Sequence, residues 1–169
     1  MTTTLFKGSL VHLAGKEVKV GQDAPEVVLV GKDLSPVNVG GKKNVVQLLV
    51  AVPSLDTGVC ALETRKFHEK AASLAGVNIT IISMDLPFAA GRFCTTEKIE
   101  KLTFASDFRN RDFANSYGVL MADGPLQGLT CRAVFIVDKQ GKIAYKEIVP
   151  EVTQEPDYAK CLAALKNIQ

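Results

Sequence analysis

The chain has 169 residues, 47% of them hydrophobic and 22% charged, which gives one ordinary domain over 1–169 and excludes a disordered chain. Twenty Lys+Arg against 18 Asp+Glu leave a net charge of +2, too small a surplus to call for a nucleic-acid or membrane partner. Aromatic residues are 7% and Trp is absent, so no stacking platform for bases is evident.

The chain opens with alternation. Ser9–Leu13 and Glu17–Val20 flank Ala14-Gly15-Lys16 and predict a β-hairpin. Val27–Val30 and Ser35–Val39 are short strand candidates. Val45–Val52 is the longest apolar stretch, broken only by Gln47. It reads as a strand buried on both faces, and it is far short of the ~18 consecutive apolar residues that a membrane span needs. Pro53 stops it, Ser54–Gly58 is a loop, and a helix is expected over 59–74. Asn78–Ser83 is a second buried strand. Leu86–Phe93 and Thr95–Lys101 read as helical or irregular, and Leu102–Ala105 as a short strand. Ser106-Asp107 is expected to cap a helix running to Tyr117, with Gly118 at its end. After an irregular connection at Gly124-Pro125 and Gly128, Ala133–Asp138 and Lys142–Ile148 form a hairpin about Lys139–Gly141. Pro156-Asp157 opens a last helix to Ile168. Buried strands separated by helices imply right-handed crossovers and a sheet covered on both faces. The closing hairpin and helix predict an α/β, thioredoxin-like fold in three α/β/α layers, enlarged by an N-terminal hairpin and an inserted helix.

The first residues lack the basic start, the apolar run and the cleavage site of a signal peptide, so a cytoplasmic location with reduced thiols is expected. The cysteines are Cys60, Cys94, Cys131 and Cys161. No two have C-x-x-C spacing, and only His12 and His68 are available to join them, so neither a zinc site nor another metal site is expected. Cys60 falls in the first turn of the 59–74 helix, just past the end of a central strand, where ligand sites form in open α/β sheets. Unpaired amides and the helix dipole favour a thiolate there, and such surroundings lower a cysteine pKa from ~8.5 into the range ~3.5–7.5. The same residue shares a helical stripe with Phe67, Ala71 and Leu74, the pattern of a small hydrophobe packed in a core. From these residues alone both readings stand.

Pro53-Ser54-Leu55-Asp56-Thr57-Gly58-Val59-Cys60 resembles the peroxiredoxin signature P-x-x-x-T-x-x-C. With Thr64–Phe67 following, it is similar to the thiol peroxidase branch, the atypical two-cysteine peroxiredoxins. Ser83–Ala89, Arg92-Phe93-Cys94, Ala122–Leu126, Arg132–Val134 and Glu155–Tyr158 carry the likeness along nearly the whole chain. The resemblance implies that Cys60 is the peroxidatic nucleophile, oxidised to a sulfenic acid by hydrogen peroxide or an organic hydroperoxide. It implies that Arg132 stabilises the sulfur and the leaving oxygen, that Thr57 bonds the sulfur or the peroxide while capping the helix, and that Pro53 shields the site. It further implies that Cys94 is the resolving cysteine in an intrasubunit Cys60–Cys94 disulfide, that thioredoxin is the reductant, that no cofactor is used, and that the chain forms a homodimer near the active-site loop and the 106–117 helix. The alternatives are a non-catalytic peroxide sensor and a thioredoxin-like thiol–disulfide oxidoreductase.

Cys131 and Cys161 are read as structural. Cys131 neighbours Arg132 but points to the opposite face of a strand. Cys161 shares a stripe with Tyr158, Leu162, Leu165 and Ile168. His68 lies eight residues from Cys60, ~12 Å along a helix, beyond reach for proton transfer. Glu63 either repels a thiolate or pairs with Arg132 or Arg65.

Overall fold

The computed structural model describes residues 1–71 and 73–168. A seven-stranded sheet forms the middle layer, in the order β10-β9-β5-β6-β7-β3-β4. Its strands are β3 (Val27–Gly31), β4 (Pro36–Val39), β5 (Val46–Ala51), β6 (Val77–Ser83), β7 (Thr103–Ser106), β9 (Ala133–Val137) and β10 (Ile143–Ile148). β5, β6 and β7 run parallel, while β9 pairs antiparallel with β5. A smaller sheet joins β1 (Thr3–Phe6), β2 (Ser9–Ala14) and β8 (Leu120–Met121). The helices are α1 (Gly58–Ala71), α2 (Pro87–Glu97), α3 (Asp112–Tyr117) and α4 (Tyr158–Asn167).

Every residue of β5 and β9 is buried, and the two-residue period of a strand divides them between two cores. Leu49, Ala51, Ala133 and Phe135 pack with Phe113 and Tyr117 of α3 and with Val11, Leu13 and Met121 of the small sheet. Leu48, Val50, Val134 and Ile136 pack with Cys60 and Phe67 of α1, Ala90 and Cys94 of α2, and Cys161 and Leu165 of α4. This is the expected three-layer α/β/α arrangement. A Leu→Ala truncation in either core costs about 2–5 kcal/mol.

Three expectations need correction. The N-terminal hairpin joins β1 to β2 through Lys7-Gly8, with Phe6 opposite Ser9. Lys7 and Gly8 both have positive φ, 50° and 80°, as a two-residue hairpin turn demands, and Glu17–Val20 is not a strand. Gly15 is no hairpin turn; a Cβ there would stand 2.5 Å from the Asn115 carbonyl oxygen, so glycine lets the chain pass against α3. The helix expected from 106 begins only at Asp112. Ser106 ends β7, and the Asp107 carboxylate reaches forward to accept from Phe113 N at 3.1 Å and Ala114 N at 2.8 Å. Asp107 is thus a cap, but for a helix starting five residues later. The 59–74 helix starts at Gly58 and is described to Ala71; position 72 lies outside the described residues, and Ser73 is already in a turn. The two segments read as helical or irregular around Cys94 form one helix, α2, ending where Lys98 turns left-handed at φ 53°.

Candidate active site

The sheet pairing places the site. Ala51 at the end of β5 lies opposite Ala133 at the start of β9, so residues just past β5 and just before β9 meet at one end of the sheet. Val52 and the buried Pro53 lead into the 54–57 loop, and α1 begins at Gly58. The Thr57 hydroxyl accepts from Cys60 N at 3.2 Å and donates to the Ser54 carbonyl at 3.2 Å. Thr57 therefore caps the first turn, as expected of one of its two roles; its hydroxyl bonds backbone on both sides.

Arg132 shares the parity of Val134 and Ile136 and so enters the core that holds Cys60. Cys131, one residue earlier, packs in the opposite core. The Arg132 side chain is 2% exposed. Its Nη1 donates to Cys60 Sγ at 3.2 Å and to Glu63 Oε2 at 2.5 Å, and its Nε donates to the Val152 carbonyl at 2.9 Å. Burial works against the guanidinium charge, but Glu63 and the Cys60 sulfur more than offset it and hold its pKa above the ordinary value. Cys60 is wholly buried, yet in contact with a cation. Cys60 therefore combines a place in the core with a contact to a buried guanidinium.

Glu63 sits one turn after Cys60 and is also fully buried. Its Oε1 has no hydrogen-bond partner among the described residues. Burial raises its pKa from 4.5 to about 7, against the pull of Arg132. Of the two partners considered from sequence, Arg132 holds it; Arg65 instead bridges to Glu97 of α2 at 2.9 Å. Thr64 is fully buried and donates to the Cys60 carbonyl at 2.8 Å, a contact inside α1.

Cys94 lies in α2, buried in the same apolar cluster as Cys60, and all four cysteines are free thiols. Burial raises the Cys94 pKa, with Lys32 nearby opposing. Burial lifts Cys131 and Cys161 further, each to about 12. Between the start of α1 and α2 lies a cavity of about 330 Å³, lined by Thr57, Gly58 and Ala61 on one side and Ala89, Arg92 and Phe93 on the other. Among the described residues no group of three or more His, Cys, Asp or Glu side chains is placed to hold a metal.

Sequence reasoning missed two partnerships. Asp123 accepts from the His12 backbone N at 2.9 Å and meets its Nδ1 at 2.6 Å. Asp85 holds the 54–57 loop through Ser54 and Leu55. Both join residues far apart in the chain, and only the quoted Ser83–Ala89 string hinted at the second.

The redoxin family profile matches residues 19–162. A thiol peroxidase of Aquifex aeolicus is 52% identical over 166 residues, covering 98% of each chain. One from Campylobacter jejuni is 52% identical over 160 residues, covering 95% of this chain and 90% of that one. The crystal structure of a peroxiredoxin-like protein from Aquifex aeolicus superposes with a TM-score of 0.97 at 51% identity, covering 100% of this chain and 98% of that one. A buried cysteine at the first turn of a helix, bonded to a buried arginine from the next strand, thus stands in a chain that belongs to the redoxin family, among the thiol peroxidases.

Proposed function

We propose that the chain, acting as one domain over 1–169, is a thiol peroxidase that reduces hydrogen peroxide and organic hydroperoxides. The observation that carries this is the 3.2 Å contact from Arg132 Nη1 to Cys60 Sγ inside the core. A guanidinium aimed at the sulfur stabilises negative charge on it and on the oxygen that departs, in a low-dielectric site where such contacts are strongest. The Cys60 sulfur attacks the terminal peroxide oxygen. The O–O bond breaks, Cys60 becomes a sulfenic acid and the peroxide leaves as water or an alcohol. The Cys94 sulfur then displaces the sulfenic hydroxyl as water, giving an intrasubunit Cys60–Cys94 disulfide, and a dithiol reductant of the thioredoxin type returns both thiols while becoming a disulfide itself.

Thr57 serves by fixing the turn that holds Cys60, and Pro53 by closing the site on its strand side. The cavity between α1 and α2 is the entry we assign to the peroxide. Both cysteines sit inside helices in one core, so resolution requires the first turn of α1 and the last turn of α2 to loosen. The exposed Leu86, Phe88 and Phe108, next to the active-site end of the sheet, support a homodimer joined there, close to the expected surface. The free thiols suit a reducing cytoplasm. Among the described residues no helix is long and apolar enough to cross a membrane.

The test is a steady-state assay of the full chain with peroxide, thioredoxin and thioredoxin reductase. Sustained peroxide-dependent turnover that vanishes in Cys60→Ser is expected. Oxidation that stops after one equivalent assigns a sensor, and insulin reduction without peroxide assigns a thiol–disulfide oxidoreductase.

A further inference from the structure

Asp85 occupies the short link between β6 and α2, and its carboxylate gathers three donors. Oδ1 accepts from Ser54 Oγ at 2.7 Å; Oδ2 accepts from Leu55 N at 2.7 Å and Ser83 Oγ at 2.9 Å. The Asp85 carbonyl also accepts from Ser106 Oγ at the end of β7, so the aspartate is anchored to two strands of the sheet. From Ser54 the bonding continues toward the sulfur. The Ser54 carbonyl accepts from both Thr57 N and Thr57 Oγ1, and Thr57 Oγ1 accepts from Cys60 N. Among the described residues, and apart from the bonds that Thr57 accepts from Cys60 N and Ala61 N of α1, the side-chain and backbone hydrogen bonds that leave residues 53–57 end on Asp85. Among the described residues the loop has no other tether outside α1, and the chain runs from Asp85 directly into α2, which carries Cys94.

We propose that Asp85 is a positioning residue of the peroxidase site: its carboxylate, through Ser54 and Leu55, clasps the 54–57 loop to the root of α2 and so holds Thr57 and Cys60 in the geometry that meets Arg132, and its release accompanies the approach of Cys60 to Cys94. This rests on the peroxidase reading given above. A carboxylate suits the task because its two oxygens offer about four acceptor sites to three donors. An asparagine retains one acceptor oxygen, enough for Leu55 N, and Ser54 Oγ can turn to accept from its amide. It should rescue part of what an alanine loses.

The experiment compares the reduced full chain with Ser54→Ala, Asp85→Asn and Asp85→Ala. Hydrogen exchange of residues 54–60 and of β6 is followed first, then single-turnover oxidation of Cys60 by hydrogen peroxide and formation of the Cys60–Cys94 disulfide, by acid quench and mass spectrometry. For Asp85→Ala the expected result is exchange in 54–60 faster by about tenfold, one hydrogen-bond equivalent of local opening, with β6 unchanged. Cys60 oxidation slows by a similar factor while the disulfide forms from the sulfenic acid no more slowly than in the native chain. Ser54→Ala gives a smaller change of the same sign, and Asp85→Asn lies between native and alanine. Unchanged exchange in 54–60 together with oxidation within twofold of native overturns the proposal. If Asp85→Ala does not fold, Ser54→Ala decides by the same criteria. If the native chain consumes no peroxide, the peroxidase reading fails, and the exchange data alone decide whether Asp85 is the clasp.

Discussion

Glu63 and Arg132 form an ion pair, Oε2 to Nη1 at 2.5 Å, with 0% and 2% of their side chains exposed. The same guanidinium nitrogen bonds the Cys60 sulfur, so the pair and the candidate nucleophile are one buried cluster. Two charges taken out of water gain little net stability from each other, but removing one strands the other. Above about pH 7, where Glu63 is ionised, Glu63→Ala is expected to cost about 3–5 kcal/mol, read from urea unfolding, with a loss of peroxidase rate because the guanidinium is no longer held. A variant that unfolds like the native chain would mean that the arginine finds another counterion.

Arg132→Met removes the donor to the sulfur while keeping an apolar stem of similar length. Peroxidase kcat/KM is expected to fall about 10²–10³-fold, the range for deleting one preorganised donor to developing charge. A fall of less than threefold, in a variant shown to be folded by circular dichroism, sinks the electrostatic role assigned to Arg132.

The Glu63 pKa, raised by burial from 4.5 to about 7, has a defined consequence for stability. The native state holds this proton more tightly than the unfolded chain, so between those two values it binds more protons. The stabilisation is fully present below pH 4.5 and is lost as pH rises through about 7. Urea unfolding from pH 5 to 8 should show this decline, and Glu63→Gln, which cannot ionise, should flatten it. Parallel pH profiles for the two proteins would show that another group carries the dependence.

Cys94→Ser is expected to permit one oxidation of Cys60 and then stop, leaving a sulfenic acid that peroxide drives to the sulfinic acid. Thioredoxin-coupled turnover should drop to background. In the native chain, disulfide formation should lower hydrogen-exchange protection in 57–64 and 90–98, since 58–64 and 90–97 are helical when the thiols are free. Full turnover in Cys94→Ser would point to a different resolving thiol.

Cys131→Ala and Cys161→Ala are each expected to leave peroxide turnover within twofold of native. Burial holds both thiols protonated far above neutral pH, at about 12, and the thiol is not the nucleophilic form. Tenfold loss in either variant would assign it a place in the redox cycle.

The layered fold is legible because β9 is wholly apolar, β5 is broken only by Gln47 and β6 carries Ile79, Ile81 and Ile82, a pattern that a sheet covered on both faces accommodates. The Cys131/Arg132 split was legible from strand parity alone. The place of the N-terminal hairpin is not legible because Gly15 looks like a turn residue, whereas its lack of a side chain answers the close approach of Asn115, a contact a hundred residues away in sequence. Helix α3 is shorter than its sequence suggests because Asp107 does cap it, but from across a loop rather than from its first turn. In the site, the Thr57–Cys60 spacing was readable as a local turn. The choice of Arg132 over Arg65 for Glu63 was not, since it depends on which strand lies beside β5. Asp85 escaped for the same reason: its partners belong to a different crossover.

Cys131 and Cys60 lie on opposite sides of the same seven-stranded sheet. That sheet acts as a partition between thiols. A wrong bridge between these two would need strands to come apart at the centre of the molecule, whereas Cys60 and Cys94 share one compartment and need only their helices to give way. The partition thus withholds Cys131 from the proposed Cys60–Cys94 pairing, while Cys161 shares that pair's compartment.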